Sequence, residues 1–290
     1  MRYAFFLGCM IPLRLPHIER ATRMALEAVG VELLDMEGAS CCGEPISIQS
    51  LDREAWIALA ARNLCIAEEM KADILTICSG CYETLKTANV SMKRETSLRE
   101  RINEKLSAIG KEFRGTIEVK NIIEVLGEVG EERIKAHLKR PLKGIRVAAH
   151  PGCHLLRPSE IIQFDDPMRP VLLDRLIRLL GAESIQYPKK MLCCGAGLRL
   201  VDLEKANKLV EMKLSLIESA ETDCIVLVCP YCMIQYDLTQ RMIKREDKAP
   251  FNIPVLYYSE LLSLALGFSP SEIGLRFHRT SVEPLLKKLP

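Results

Sequence analysis

The sequence predicts an α/β protein made of two repeats, each arranged around an open, mostly parallel sheet. Short β-prone segments alternate with helical patterns, which is typical of such sheets. An internal repeat marked by cysteines divides the chain into halves. Of the 290 residues, 48% are hydrophobic and 27% are charged, so the chain can bury a core of ordinary size.

The repeat consists of ten of the twelve cysteines. Each half has a single cysteine, an adjacent pair and a CxxC, with 31, 35 and 2 residues between them in the first half and 39, 34 and 2 in the second. The segments SCCGEP and LCCGAG match, as do ILTICSGC and IVLVCPYC. We therefore predict domains 1–143 and 144–290. The cysteines are Cys9, Cys41, Cys42, Cys78 and Cys81, then Cys153, Cys193, Cys194, Cys229 and Cys232.

Both repeats are predicted to contain the same elements in the same order. A strand leads into the first cysteine, a helix follows it, a second helix follows the adjacent pair, and a buried strand carries the CxxC at its end. A further helix, a strand and a last helix complete each unit. The predicted strands are Tyr3–Gly8, Ile74–Ile77, Ile117–Val119, Ile145–Ala149, Ile225–Val228 and Val255–Tyr257. The predicted helices are His17–Val29, Asp52–Met70, Ile122–Glu128, Pro167–Leu180, Asp202–Ser219 and Glu260–Leu266, with two more from Tyr82 and Met233.

Charge and hydropathy exclude two classes of partner. The net charge is +2 and acidic and basic residues are interspersed, so there is no basic patch for nucleic acid. No apolar run reaches the 18 or so residues that a membrane helix needs. The N-terminus has no signal-peptide pattern. We expect a cytoplasmic protein without membrane insertion.

The ten repeated cysteines predict metal centres. Ligands gather at the carboxyl ends of parallel strands, so five thiols of each repeat should meet at one sheet edge. Thiolates brought together there repel one another and need a cation. Iron–sulfur ligation fits best, because thiolates are the usual cluster ligands. Cys65 and Cys224 have no counterparts in the repeat and are predicted to be small core residues.

Three other uses of the cysteines stay open at this point. A structural zinc site needs only four tetrahedral ligands, although it could use four of the five thiols. A CxxC between a strand and a helix could be a thioredoxin-like dithiol, which would leave the other cysteines unexplained. Structural disulfides are disfavoured in a reducing compartment.

The doubled cysteine pattern with its CCG elements resembles the CCG-domain family. The segments YAFFLGC, ARNLCIAEEM, HPGCH, MLCCGAG and VCPYC resemble the heterodisulfide reductase B subunits within it. The resemblance covers nearly the whole chain and implies two Rossmann-like parallel-sheet CCG domains related by a pseudo-twofold. It also implies two noncubane [4Fe-4S] clusters. Cluster 1 would be bound by Cys9, Cys41, Cys42, Cys78 and Cys81, and cluster 2 by Cys153, Cys193, Cys194, Cys229 and Cys232.

The same resemblance implies a function and partners. Such B subunits reduce the heterodisulfide of coenzyme M and coenzyme B, CoM-S-S-CoB, to two thiols between the clusters. Electrons come from a ferredoxin-like [4Fe-4S] C subunit and a flavin-containing A subunit. The chain shows no GxGxxG after a strand and no GxxxxGK[ST], so it has no nucleotide site of its own. The enzyme would then be active only within the complex.

Four residues beyond the cysteines are candidates for the reaction. His154 follows Cys153 and could donate a proton to a product thiolate, or could only hydrogen-bond to the cluster environment. The sulfonate and phosphate of the coenzymes call for basic side chains, for which Arg14, Arg157 and Arg199 lie near cysteine turns. His150 is expected to support its strand end.

Two other functions remain as alternatives. A CCG subunit of another respiratory or 2-hydroxy-acid oxidoreductase complex would relay electrons without reducing a disulfide. A zinc-bearing assembly module would have no redox activity. Colour and metal content separate the second from the first.

Overall fold

The computed structural model describes residues 1–243 and 250–289 and confirms the α/β fold. It contains two four-stranded sheets in which every strand pairing is parallel. The first sheet is formed by β1 (Arg2–Phe6), β2 (Glu32–Asp35), β3 (Ile74–Thr76) and β4 (Val119–Asn121). The second is formed by β5 (Arg146–His150), β6 (Glu183–Ile185), β7 (Cys224–Leu227) and β8 (Val255–Tyr257).

The two sheets have the same strand order, β2-β1-β3-β4 and β6-β5-β7-β8. In each repeat the chain therefore leaves the first strand toward one edge and returns to its other side, which creates a topological switch point between β1 and β3 and between β5 and β7. Fully buried residues fill the central strands, as in β7, where every residue is buried. This is the pattern expected of a parallel sheet covered on both faces.

The strands β2 and β6 were not predicted from the sequence. Both are edge strands with partly exposed residues, and neither has the continuous apolar run of a central strand. Glu32 and Asp35 of β2 are exposed. Their pairing comes from the backbone of the neighbouring strand rather than from their own side chains, so a search for apolar runs does not find them.

Helices connect the strands within each repeat. In the first part of the chain they are α1 (Met10–Arg14), α2 (Pro16–Ala28), α3 (Ser47–Leu51), α4 (Arg53–Met70), α5 (Ser79–Arg94), α6 (Thr96–Ser107), α7 (Ile122–Val129) and α8 (Glu131–His137). In the second part they are α9 (Ser159–Ile162), α10 (Leu172–Leu179), α11 (Leu203–Ser219), α12 (Pro230–Thr239), α13 (Tyr258–Ala265) and α14 (Glu283–Leu286).

The helices after the two CxxC motifs begin earlier than the sequence pattern predicts. Helix α5 begins at Ser79 and α12 at Pro230, so the second cysteine of each motif lies in the first helical turn. Cys78 is the N-cap of α5, and its Sγ accepts from the Cys81 backbone N–H at 3.4 Å. In contrast, α10 begins five residues after the predicted start of its helix, at Leu172.

The chain forms two compact units that each combine separate segments. Unit 1 contains 1–14, 30–128 and 154–167, and unit 2 contains 15–29, 129–153 and 168–290. The predicted boundary between residues 143 and 144 follows the sequence repeats, whereas unit 2 also contains 15–29 and 129–143 of the first repeat and unit 1 contains 154–167 of the second. Helix α2 thus belongs to unit 2, although it lies in the first repeat of the sequence.

Helix α2 packs on α13 within unit 2 through a fully buried apolar face. Ile18, Ala25 and Leu26 have no exposed area. Thr22 Oγ1 donates to Ser259 Oγ at 2.9 Å, and Ser263 Oγ donates to the Ala21 carbonyl at 3.0 Å. Because these hydroxyls are buried, each needs the partner that the other helix provides.

No helix in the described ranges 1–243 and 250–289 has both the length and the apolar character needed to cross a bilayer.

The turn after the first adjacent cysteine pair is fixed by Trp56. The indole N–H donates to the Gly43 carbonyl at 3.0 Å, and Thr84 Oγ1 donates to the same carbonyl at 3.2 Å. Gly43 has a positive φ of 83°, and an added Cβ would lie 3.1 Å from the Trp56 ring. The indole therefore both fills space beside this turn and satisfies its backbone.

Two substitutions separate these contributions of Trp56. We expect Trp56→Phe to lower the free energy of unfolding by about 1–2 kcal/mol, because it removes one buried hydrogen bond. Trp56→Ala should lower it by about 3–5 kcal/mol, because it also leaves a cavity. Chemical denaturation followed by circular dichroism measures both. Equal losses for the two variants would contradict the packing role of the ring.

Candidate metal-cluster sites

The cysteines of each repeat lie at the carboxyl ends of three parallel strands. Cys9 follows β1, the pair Cys41–Cys42 lies in the loop after β2, and Cys78 follows β3. The unpredicted edge strand β2 thus brings the adjacent pair to the sheet edge where the other thiols lie. Since Cys9 and Cys78 flank the switch point, these thiols occupy the usual ligand position of an open α/β sheet.

The five thiols of each repeat interact in the same order. Their side chains form a continuous series in which each thiol interacts with the next. In the second set, Sγ of Cys232 and Sγ of Cys194 are 3.4 Å apart. The structure therefore brings together all ten predicted ligands as two matched sets. The series are Cys9–Cys41–Cys42–Cys81–Cys78 and Cys153–Cys193–Cys194–Cys232–Cys229.

Each set has a buried side and an open side. The CxxC cysteines and the second cysteine of each adjacent pair are buried. Cys9, Cys41 and Cys193 are exposed, and Cys153 is half-buried. A group bound by the five sulfurs would therefore be covered on its buried side by the sheet edge. It would be accessible from the side of the first cysteine and the first member of the pair.

The electrostatics of each set favour a bound cation. Hydrogen bonds from Cys42 and Cys9 lower the pKa of Cys41, and hydrogen bonds from Cys153 and Cys194 lower the pKa of Cys193. The pKa of Cys9 is raised by its hydrogen bond to Cys41 and by burial. One thiolate in each set is thus stabilised by neighbours that keep their protons. Ionising all five sulfurs needs compensating positive charge, which metal ions supply.

Glycines let the backbone approach the sulfurs closely. A Cβ at Gly8 would lie 2.7 Å from Cys81 Sγ, and Gly8 has a φ of 68°. At Gly152, the equivalent position, the Cβ would lie 3.9 Å from Cys232 Sγ, with a φ of 80°. No other residue type fits at Gly8 without displacing Cys81, because both the space and the conformation require glycine.

The donor set fits an iron–sulfur cluster. Five thiols exceed the four ligands of a tetrahedral zinc site, and thiolates are the standard ligands of clusters. Beside the second set lie buried polar groups that have no hydrogen-bond partner in the described part of the chain: both ring nitrogens of His150 and the hydroxyl of Tyr236. Burial lowers the pKa of His150 to about 3, while the nearby thiols Cys229 and Cys193 act to raise it. Inorganic sulfide of a bound cluster would accept hydrogen bonds from the Tyr236 hydroxyl and from the single N–H of the neutral His150 ring.

The loop before each adjacent pair is held by equivalent positions on α4 and α11. In the first repeat, Asn63 accepts from the Ser40 backbone N–H at 2.9 Å and donates to the Cys41 carbonyl at 3.2 Å. In the second, Lys213 donates to the carbonyls of Lys189, Lys190 and Leu192 at 3.1, 2.5 and 3.4 Å. Both side chains belong to fully buried residues.

This exchange of an amide for a cation makes the two sites electrostatically different. Burial lowers the pKa of Lys213 to about 7, while the thiols Cys232 and Cys194 act to raise it. Asn63 has no charge. A negative cluster in the second site would favour the ammonium form of Lys213, and that site would then hold a buried positive charge that the first site lacks.

His154 lies in unit 1, beside a residue that sequence reasoning missed. Its Nδ1 is 3.8 Å from Oε2 of Glu83, and the His154 side chain is 27% exposed. Glu83 is buried on α5, two residues after Cys81, and burial raises its pKa to about 7. Its Oε2 has no hydrogen-bond partner among the described residues. His154, which follows Cys153 in the sequence, is thus directed toward a buried carboxyl group on α5, the helix that carries Cys81.

The three predicted arginines differ in their surroundings. Arg14 is exposed in the last turn of α1, which follows Cys9. Arg157 is exposed, and its Nη2 donates to the Pro167 carbonyl at 3.1 Å. Arg199 is half-buried; its Nη1 donates to Thr239 at 3.0 Å and to Gln235 at 3.3 Å on α12, the helix that carries Cys232.

The remaining cysteines are core residues, as the sequence predicts. Cys65 is 1% exposed and Cys224 is fully buried. The missed residues had weak signals in the sequence. Lys213 occupies an apolar position on the buried face of α11, in register with Val210 and Ile217. A lysine at such a position indicates a buried partner, but the sequence does not say that the partners are backbone carbonyls.

Gly8→Ala tests the close approach at the first site. We expect the variant to lose about half of the bound iron, because the new Cβ displaces Cys81 and the backbone resists a φ of 68°. Gly127→Ala is the control, since its Cβ meets nothing within 4 Å. Iron per chain after anaerobic purification is the measurement. Full iron retention in Gly8→Ala would contradict the assigned role of Cys81.

Lys213→Met tests the support of the second site. The substitution leaves buried carbonyls without a donor, at a cost of about 1–3 kcal/mol for each group left unsatisfied, and removes the buried cation. We expect selective loss of the second cluster, seen as a lower iron content and the disappearance of one set of electron paramagnetic resonance signals. Lys208→Met is the control, because Lys208 is on the exposed face of α11 and pairs with Glu204. Unchanged spectra in both variants would refute this role.

Comparison with known proteins identifies the family. The CCG cysteine-rich domain model matches twice, at residues 3–86 and 147–237. The B subunit of the ferredoxin:CoB-CoM heterodisulfide reductase of Methanosarcina mazei is 42% identical over 277 residues, which cover 94% of this chain and 92% of that protein. The 8-methylmenaquinol:fumarate reductase membrane anchor subunit of Wolinella succinogenes is 32% identical, covering 94% of this chain and 95% of that protein.

A solved structure supports the fold alone. A hypothetical protein from Helicobacter pylori superposes with a TM-score of 0.76 over 97% of this chain and 52% of that one, at 14% identity. The matched sets of thiols, the doubled domain match and the whole-length identity agree with one another. This chain belongs to the CCG cysteine-rich domain family, within the group of heterodisulfide reductase B subunits; it is an iron–sulfur protein with an oxidoreductase role.

Proposed function

We propose that this chain is the disulfide-reducing subunit of a CoB–CoM heterodisulfide reductase. In this proposal the two sets of five cysteines bind two noncubane [4Fe-4S] clusters, and the substrate is CoM-S-S-CoB. The observation that supports it most directly is the pair of matched five-thiol series, since a cubane would leave one thiol of each set unused. The 42% identity with a heterodisulfide reductase B subunit over nearly the whole chain agrees with this assignment.

The reaction consumes two electrons and two protons. CoM-S-S-CoB takes up two electrons as its S–S bond breaks, and two protons convert the resulting thiolates to CoM-SH and CoB-SH. Bound clusters would supply the electrons one at a time. The chain's own residues have to keep the sulfurs accessible and deliver protons. The exposure of Cys41 and Cys193 leaves an open side at each site for a substrate sulfur.

His154 and Glu83 are the proposed route for one proton. The His154 ring is partly exposed and can exchange protons with solvent, whereas Glu83 is buried. Their separation of 3.8 Å allows transfer after a small movement or through one water molecule. Glu83 lies on α5, the helix that carries Cys81, so the pair is the proposed link between solvent and this helix.

Arginines are the proposed partners of the anionic ends of the substrate. A sulfonate or phosphate is bound well by guanidinium groups, which donate in a bidentate geometry. Arg14 and Arg157 are exposed and can reach a ligand, and Arg199 is held beside the helix of Cys232. We assign all three to substrate binding as part of this proposal.

We further propose that electrons arrive from a ferredoxin-like C subunit and a flavin-containing A subunit in the cytoplasm. The absence of a nucleotide-binding motif from the sequence agrees with an external donor. A cytoplasmic location suits twelve cysteines that must stay reduced or metal-bound.

A second candidate function is electron relay without disulfide chemistry. The relative from Wolinella succinogenes is named as a subunit of a fumarate reductase, and it matches this chain over nearly its whole length. A relay subunit would need the same clusters but no proton donor and no anion-binding arginines. The two functions therefore differ in their response to the heterodisulfide.

The test is anaerobic expression of this chain together with the A and C subunits, followed by assay of CoM-S-S-CoB reduction with a reduced viologen. We expect turnover in the wild-type complex. His154→Gln should lower kcat by about 100-fold at unchanged iron content, as expected for loss of a general acid. His137→Gln is the control, because His137 is exposed on α8.

The possible outcomes separate the functions. Iron without turnover, and without a spectral response to coenzyme M, would favour the relay subunit. Zinc at the cysteine sites instead of iron would favour the non-redox assembly module. Turnover with full activity in His154→Gln would keep the substrate and overturn the proton donor.

A further inference from the structure

We propose that His17, Glu260 and His278 form a structural site for a divalent transition-metal ion, best suited to zinc, which joins the C-terminal segment to helices α2 and α13. The site lies in unit 2 and uses none of the ten repeated cysteines. Among the described residues, these three offer ligand atoms that all lie within 4.8 Å of one another.

The three side chains are almost completely buried. Their relative exposures are 3% for His17, 0% for Glu260 and 1% for His278. Each residue comes from a different segment: His17 from the first turn of α2, Glu260 from the first turn of α13, and His278 from the C-terminal segment after Phe277. Three such groups, from three distant parts of the chain, converge on one buried point.

One ligand nitrogen is left without a hydrogen bond. Nε2 of His17 is buried, has no hydrogen-bond partner within residues 1–243 and 250–289, and lies 3.9 Å from Oε1 of Glu260. Nε2 of His278 lies 2.8 Å from the same oxygen. A buried nitrogen without a partner costs free energy, and histidine nitrogens are frequent metal ligands. This His17 nitrogen therefore points to a group that completes the cluster.

The distances suit a metal ion after a small adjustment. Zinc binds histidine nitrogen and carboxylate oxygen at about 2.0–2.2 Å, which separates neighbouring ligand atoms of a tetrahedral site by about 3.3 Å. The two nitrogen–oxygen separations, 2.8 and 3.9 Å, lie on either side of that value. The two histidine nitrogens lie within 4.8 Å of each other, so side-chain shifts of roughly an ångström would accommodate the ion. Two histidines with one carboxylate are a known zinc donor set, in which a water molecule takes the fourth position.

The surrounding charge favours a dication. Glu260 supplies one negative charge, and the buried carboxylate of Asp237 is close enough to act to raise the pKa of both histidines. Asp237 does not need to be a ligand, because its oxygens accept from the backbone N–H groups of Arg279 and Thr280 at 2.7 and 2.8 Å. Two carboxylates balance the two positive charges of the ion, which a buried site requires.

The other oxygen of Glu260 is already fixed. Its Oε2 accepts from the Tyr257 backbone N–H at 2.8 Å at the start of α13, which leaves Oε1 directed toward the histidines. Gly274 keeps the C-terminal segment tight against α2, since a Cβ there would lie 2.8 Å from Cβ of His17. The ligands are therefore held in place by contacts that do not depend on the ion. Such outer contacts orient metal ligands and strengthen binding.

The consequence would be a clamp on the C-terminal segment. Residues 274–289 have other contacts within unit 2, among them those of Asp237 with Arg279 and Thr280, the Lys288–Asp223 ion pair, and the buried side chains of Leu275 and Leu285. An ion bound only by the folded arrangement stabilises it, because the unfolded chain does not keep the three ligands together.

The experiment measures zinc and its ligands in the full chain, purified anaerobically with iron in the cysteine sites. Metal analysis should give about one zinc per chain in addition to the iron. Zinc-edge X-ray absorption should show only nitrogen and oxygen neighbours, because a zinc ion at the cysteine sites would show sulfur. His17→Phe, which keeps an aromatic ring against Phe277, should remove the zinc and leave the iron unchanged. His137→Asn, at an exposed histidine, should keep both.

A second variant and a chelator keep the test decisive if His17→Phe folds poorly. Glu260→Gln should lower zinc occupancy at least tenfold, and removing zinc with a chelator should lower the Tm of the wild type but not that of His17→Phe. Absence of zinc after incubation with one equivalent of zinc chloride would overturn the proposal. Sulfur neighbours around the zinc, or zinc retained in His17→Phe, would do the same. Because none of these readouts uses disulfide reduction, they stand independently of the proposed catalytic function.

Discussion

The repulsion among five converging sulfurs is the constraint on which the architecture of this protein depends. Parallel strands end at a common edge, so loops that carry cysteines there bring several acidic groups into contact. The thiols satisfy one another only in part, with one lowered pKa in each set at Cys41 and Cys193. Other parts of each repeat hold these sulfurs close together, although they would separate without a cation. These parts include the glycine beside the first cysteine and the buried side chain that holds the loop before the adjacent pair.

The two repeats solve the same positional problem with different chemistry. Both hold the loop before the adjacent pair from the same place on a long helix, but one uses the amide of Asn63 and the other the ammonium of Lys213. Around the second set, His150 and Tyr236 add further buried polar groups. A duplicated scaffold has thus kept its ligand geometry while the polarity around each site has diverged. Because polarity and nearby charge set the potential of a cluster, clusters bound at the two sites would differ in potential.

The fold class and the gathering of ten cysteines in two sets could be predicted from the sequence because they depend on periodic signals. Buried strands are continuous apolar runs, and cysteines recur with almost equal spacing. Edge strands β2 and β6 could not be found in this way, since their pairing depends on the neighbouring backbone. Three further residues could not be predicted for a related reason: Glu83, Asn63 and Lys213. Each lies on an ordinary helix, and its partner is a loop or a side chain far away in the sequence. Such partnerships exist only once the chain has folded.

The exchange of segments between the compact units has a consequence for synthesis. Unit 1 is incomplete until residues 154–167 have been made, and α2 finds its partner α13 only when nearly the whole chain has left the ribosome. Until then the apolar face of α2, with Ile18 and Leu26, stays uncovered and prone to aggregation. A gene fragment that ends at the sequence midpoint would encode neither unit.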